Sequence, residues 1–208
     1  RSLFPTKFTK NKTIKNYKNF LSYEVTPSYI RKPWVARRIK KLLPNVKLIA
    51  ILRNPVDRAY SHYNMGVNES NDKRSFEEVI KTDLKLLERS KESKSDSDTY
   101  FKTIVEKSYL ARGFYAEQLK FWFKLFDKKQ IHITTTENLA TNPNKTFNEI
   151  FNFLDIANFK ISNLENKRKG NYSPLDKDIK FQLTSFFKPY NEELYKLIGK
   201  NFNWNDEL

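Results

Sequence analysis

The sequence predicts an α/β fold, a three-layer sandwich around a central parallel sheet. Three observations lead there. Lys47 to Leu52 is a short, continuous apolar run, the pattern of a strand covered on both faces, and Asn54 and Pro55 follow it as helix N-cap and first helical residue. Gln130 to Thr136 reads as a second strand, with Ile131 and Ile133, and it leads to another such start, Asn142-Pro143. Around these runs the apolar residues recur at helical spacing.

In chain order, Arg1 to Phe20 is polar and basic, with Lys7, Lys10, Lys12, Lys15 and Lys18, and reads as surface loop or weak helix. Leu21 to Val25 reads as a short strand of the same sheet, ended at Thr26-Pro27 because a residue before proline is pushed out of the helical region. Pro33 to Leu43 is a helix with Trp34, Ile39 and Leu42 on its apolar side and Arg37, Arg38, Lys40 and Lys41 beside them. The helix from Asn54 puts Arg58, Ser61, His62 and Met65 near one face. Ser75 and Glu78 have capping-box spacing ahead of Phe76, Val79, Ile80 and Leu87. Ser90 to Asp98 is a polar loop. Ala111-Arg112-Gly113 then breaks the chain before Tyr115, Leu119, Trp122 and Phe126, which share a helix face. Glu137-Asn138-Leu139 turns out of the second strand, and Phe147, Ile150, Phe151 and Leu154 mark the helix after Pro143. Lys160 to Ser173 is basic and irregular; Ile179, Leu183, Phe186 and Phe187 lie on the last helix.

The chain has 208 residues, enough for one domain, read as 1–208, with a sizeable core rich in Phe and Tyr. Its net charge of +15 suits a polyanion, an anionic surface, or an anionic cofactor and substrate. There is no Cys and only 2 His, so disulfides and Cys-based zinc sites are excluded and no metal is expected. No apolar stretch is long enough to span a bilayer, and no signal peptide is visible; together with the lack of Cys this points to a cytoplasmic, bacterial or other intracellular, setting.

The run Leu52-Arg53-Asn54-Pro55-Val56-Asp57-Arg58-Ala59-Tyr60-Ser61-His62-Tyr63 resembles the 3′-phosphate-binding segment of sulfotransferases that use 3′-phosphoadenosine 5′-phosphosulfate, in the bacterial and heparan-sulfate-type branch. The resemblance implies a nucleoside-kinase-like P-loop fold and assigns the cofactor's 3′-phosphate to Arg53 and Ser61. Lys169-Gly170-Asn171-Tyr172-Ser173 is similar to the family's second cofactor loop, with Asn171 where heparan enzymes often carry Arg. Glu24-Val25-Thr26-Pro27-Ser28-Tyr29 resembles the acceptor-cleft segment, which implies acceptor roles for Glu24, Thr26 and Tyr29 but departs at Val25, where heparan enzymes have Lys. Tyr109 to Leu119 resembles another family segment and would turn Arg112 toward the ligands.

The implied partners are the nucleotide, whose product is 3′,5′-adenosine bisphosphate, and a hydroxyl- or amine-bearing acceptor: a small molecule, lipid or glycan. No specific nucleic acid is expected. The family's phosphosulfate-binding loop and its catalytic base are not found, since Gly66, Gly113, Gly170 and Gly199 are the only glycines and none stands in such a loop. The sequence therefore reads as an amino-terminally incomplete domain without its first strand, with catalytic residues upstream of Arg1 and no transfer activity of its own. The rival readings are a catalytically inactive polyanion-binding module of the same fold and a nucleotide kinase. The latter needs a Gly-Lys-Ser/Thr loop that the sequence lacks.

Overall fold

The computed structural model describes residues 6–17, 20–69, 73–92, 97–162, 170 and 172–206. Helices α1 (Lys7–Tyr17) and α2 (Pro33–Leu42) precede strand β1 (Leu48–Leu52). Helices α3 (Pro55–Glu69), α4 (Phe76–Glu92), α5 (Ser97–Tyr100) and α6 (Tyr115–Leu125) lead to β2 (Ile131–Thr135), and α7 (Thr136–Thr141), α8 (Pro143–Leu154) and α9 (Lys177–Ile198) follow. The strands pair in parallel, from Leu48 opposite Ile131 to Leu52 opposite Thr135. A parallel pair requires a long crossover, which α3 to α6 supply.

Period-two alternation sorts the strand side chains onto two faces. Leu48, Ala50, Leu52, Ile131 and Ile133 pack with Ala36 of α2, Leu119 and Trp122 of α6, and Leu194 of α9. On the opposite face His132 lies against Phe153 of α8, with ring centroids 5.3 Å apart. Helices thus lie on both sides of the pair, in a three-layer α/β arrangement with a parallel sheet, but Ile49 and Ile51 of β1 stay exposed among the described residues, so the two-sided cover expected of that strand is not observed. A second core joins Val56 and Ala59 of α3 to Ile80 of α4, Leu110, Phe114 and Phe187 of α9. Asp83 of α4 is buried beneath it and accepts from Ser108 Oγ and the Leu110 N–H, both at 2.8 Å, which shapes the turn that leads to Arg112.

Several local expectations hold. Ser75 and Glu78 form their reciprocal cap, with Ser75 N–H to Glu78 Oε2 at 2.7 Å and Glu78 N–H to Ser75 Oγ at 3.2 Å. The basic amino-terminal stretch is helical over α1. Other expectations are corrected. Residues 20–26 form no strand, and Leu21, Tyr23 and Val25 are exposed. A strand needs a neighbour for its N–H and C=O groups, and among the described residues only β1 and β2 pair. Glu137 begins a helical turn rather than a simple loop, because the Thr135 hydroxyl caps α7 by accepting from the Asn138 N–H at 3.1 Å. Asn142 makes no side-chain cap for α8; its amide donates to Thr141 Oγ1 at 3.3 Å, while Pro143 opens the helix as expected.

Gly113 lies where α3 and α9 close on the turn before α6. A Cβ there would stand 2.9 Å from both Pro55 Cβ and Phe187 Cε1. The proline ring cannot rotate away, and Phe187 is fully buried. Gly113→Ala is therefore expected to destabilise the fold by about 1–3 kcal/mol through overpacking. Urea denaturation checks this, and an unchanged midpoint would show that the neighbours yield without cost.

Candidate functional site

The site is built where β1 turns into α3. Asn54 is buried, and its Oδ1 accepts the Val56 N–H at 3.0 Å, which satisfies a free donor of the first helical turn. The peptide group between Arg53 and Asn54 is held on both sides. Its carbonyl oxygen accepts from Tyr115 OH at 2.9 Å, and its N–H donates to Glu137 Oε1 at 2.8 Å. Burial pushes the Tyr115 phenol up to about 12, so it remains a donor at neutral pH.

The partly buried Arg53 side chain leaves this turn with no hydrogen bond or carboxylate partner among the described residues. Other arginines are engaged: Arg31 with Glu106, Arg37 with Asp98, and Arg58 with the Tyr109 carbonyl. Ser61 lies farther along α3, partly buried, and its hydroxyl also has no partner among the described residues. The neighbouring Tyr60 ties the expected second loop to α3. Its hydroxyl donates to the Ser173 carbonyl at 2.8 Å, and its ring meets Tyr172 edge-on with centroids 5.4 Å apart. A Cβ on Gly170 would collide with the Tyr172 ring. Structure thus brings Tyr172 and Ser173 beside the Ser61 segment, whereas Lys169 and Asn171 lie outside the described residues.

A cationic cluster stands on the inner side of α3. Arg112 donates to the Val105 carbonyl at 3.3 Å, to the Glu106 carbonyl at 2.5 Å and to His62 Nε2 at 2.8 Å. Arg31 reaches Glu106 Oε2 through Nε at 3.1 Å and Nη2 at 2.9 Å, and Lys32 lies 3.6 Å from Oε1. Burial pushes the Glu106 carboxyl up, but the Arg31 hydrogen bond and the surrounding cations outweigh it and hold it below the usual range. Burial, with Arg112, Arg58 and Arg31 nearby, pushes His62 down to about 4. Burial, with Arg31 and Arg58 nearby, lowers Arg112 to about 10.

The other sequence candidates separate. Tyr29 sits in the 3₁₀ turn Pro27–Arg31, which Trp122 anchors by donating to the Ile30 carbonyl at 2.9 Å. Through Arg31 that turn joins the Arg112 cluster. Glu24 and Thr26 bond each other at 2.5 Å in the exposed segment before it. Three residues that sequence reasoning passed over are central here. Tyr115 reads as one more aromatic on an apolar helix face and Glu137 as a turn residue, while nothing in the sequence singles out Glu106. Only Glu137 carries a usable signal, a carboxylate directly after a strand, at the sheet edge where α/β folds bind ligands.

The cluster makes stability depend on pH. Unfolded, His62 takes its proton near 6.5; folded, it resists protonation until about 4. The unfolded chain therefore binds more protons across that window, and stability falls as pH drops through it. After allowance for solvent screening the loss is about 1–2 kcal/mol. His62→Gln keeps a neutral acceptor for Arg112 and should remove this part of the acid-side decline, which denaturation curves at pH 7, 5.5 and 4 would register. An identical decline in the variant would place its source elsewhere.

Comparison with known proteins agrees with this architecture. The model of the sulfotransferase domain family matches residues 9–202. The membrane-associated sulfotransferase kil1 of Dictyostelium discoideum is 27% identical over 96% of this chain and 56% of its own length. Heparan sulfate glucosamine 3-O-sulfotransferase 3B1 of Mus musculus is 25% identical over 90% of this chain and 51% of its own. The chain thus spans about half the length of these relatives. A crystal structure of a sulfotransferase from Alicyclobacillus acidocaldarius superposes with a TM-score of 0.64 at 26% identity, over 86% of this chain and 65% of that one. Among the described residues no helix is long and apolar enough to cross a membrane. The parallel pair with its flanking helices is the P-loop-like arrangement of these enzymes, and the chain belongs to the sulfotransferase domain family.

Proposed function

We propose that the domain to which residues 1–208 belong transfers a sulfuryl group from 3′-phosphoadenosine 5′-phosphosulfate to a hydroxyl or amine of a small molecule, lipid or glycan. The observation that carries the reading is Arg53, a guanidinium without a carboxylate partner among the described residues, at the carboxyl edge of a parallel strand. Ligands of α/β sheets bind at that edge, and a planar fork of N–H donors suits a phosphate. Ser61 adds a hydroxyl from α3. The loop carrying Lys169, Gly170, Asn171, Tyr172 and Ser173 is the second cofactor contact in this reading, supported by the hold of Tyr60 on Ser173 and Tyr172.

The cosubstrate supplies the activated sulfuryl group; the chain's own residues bind and orient its adenosine end. Glu24, Thr26 and Tyr29 are assigned to the acceptor side. Arg112 acts there indirectly, since its donors already serve two backbone carbonyls and His62. The proposal assigns no residue as general base.

A second reading, a polyanion-binding module without catalysis, is favoured by the charge of +15 and by α1, where Lys7, Lys10, Lys12 and Lys15 are exposed. The two differ in what they select. The transferase reading expects 3′,5′-adenosine bisphosphate to bind more tightly than 5′-AMP, with Arg53→Ala costing about 1.5–3 kcal/mol of the former's binding, the range for a hydrogen bond to a charged group. The module reading expects heparin binding with steep salt dependence and no nucleotide preference. Calorimetry with the three ligands decides: equal affinities for the two nucleotides would remove the Arg53–Ser61 assignment.

A further inference from the structure

The peptide group joining Arg53 to Asn54 has its oxygen and its N–H both bound by side chains from distant parts of the chain. Tyr115 comes from the first turn of α6 and Glu137 from the first turn of α7, directly after β2. Backbone carbonyls and amides at the end of a strand have left the ladder and ordinarily turn to solvent. Here two side chains replace the ladder. Together they fix the plane of the peptide on the carboxyl side of Arg53, whose rotation would swing the Arg53 Cα–Cβ bond. The Asn54 Oδ1 contact to the Val56 N–H holds the next link in place.

We infer that Tyr115 and Glu137 are positioning residues for anion selection: they clamp the Arg53–Asn54 peptide so that the Arg53 side chain leaves the backbone in one direction, toward a nucleotide's 3′-phosphate. This rests on the donor reading above. Neither residue touches the phosphate in this assignment; both act through the backbone. The geometry also explains why a buried hydroxyl and a carboxylate sit at this edge although neither pairs with a cation there. Glu137 spends Oε1 on a neutral amide, and its Oε2 is buried without a partner among the described residues. A carboxylate kept for charge would stand against Arg53 instead.

The test uses the full chain and three variants, Tyr115→Phe, Glu137→Ala and Glu137→Gln. Glutamine keeps an acceptor for the Asn54 N–H, so that variant serves as the conservative rescue. Affinities for 3′,5′-adenosine bisphosphate and 5′-AMP are measured for each. Tyr115→Phe and Glu137→Ala should each weaken the bisphosphate by about five- to tenfold, the effect of one net hydrogen bond, and leave 5′-AMP unchanged. Glu137→Gln should stay near the parent. An equal fall for both nucleotides, or no fall for either, would overturn the inference, because a purely structural role has no reason to read the 3′ position. Hydrogen exchange of the Asn54 amide judges the clamp without any nucleotide. Its protection should drop in Glu137→Ala and persist in Glu137→Gln; equal protection in both would dissolve the clamp. A parent chain that binds the two nucleotides equally would defeat the donor reading, and with it the inferred role in selection, whatever the exchange result.

Discussion

The register of β1 against β2 is the constraint on which the site depends. Leu52 stands opposite Thr135, so the two strands end together. Two residues beyond each end lie Asn54 and Glu137, and the hydrogen bond between them follows from that alignment. A slip by one residue would turn every strand side chain to the wrong face. It would also carry Glu137 away from the amide it accepts. The same pairing that buries Ile131 and Ile133 therefore also brings the Glu137 carboxylate to the peptide that follows the partly buried Arg53.

Electrostatic order around the site is more selective than the total charge implies. The interior of α3 gathers Arg31, Lys32, Arg58 and Arg112, yet each has a described acceptor: the Glu106 carboxylate, the Val105, Glu106 and Tyr109 carbonyls, or the neutral His62 ring. These contacts satisfy most of the guanidinium donors, the buried Arg58 Nε having no partner among the described residues, at the cost of keeping His62 unprotonated. Arg53 differs by having no such acceptor among the described residues. Among the described residues around α3, the available guanidinium thus stands at the sheet edge, while Arg31 and Arg112 brace the turn Pro27–Arg31 and the segment before α6.

What was legible in the sequence was local. The strand-turn-helix of Leu48 to Glu69 follows from an apolar run, a capping Asn and a Pro at the helix start, all neighbours in the chain. The Ser75–Glu78 box was readable for the same reason. The bonds that orient Arg53 were not, because they join residues 62 and 83 positions apart. No periodicity marks Tyr115 as a hydrogen-bond donor when it also completes an apolar stripe. The misread strand at Leu21 to Val25 shows the converse: β-branched and aromatic residues supply propensity, but without a partner ladder propensity does not make a strand.

Gly113 carries a consequence for how this chain can vary. Its hydrogen faces the Pro55 ring and the Phe187 ring at separations that leave no room for a methyl group. Pro55 opens α3, and Phe187 fills the centre of the second core. The three positions form one unit of substitution. A side chain at 113 meets Phe187 and the Pro55 ring alike, so a smaller residue at 187 relieves one clash and leaves the other. Growth at 113 is therefore blocked unless 187 shrinks and the Pro55 end of α3 shifts as well, and an engineered repacking of this region has to move all three together.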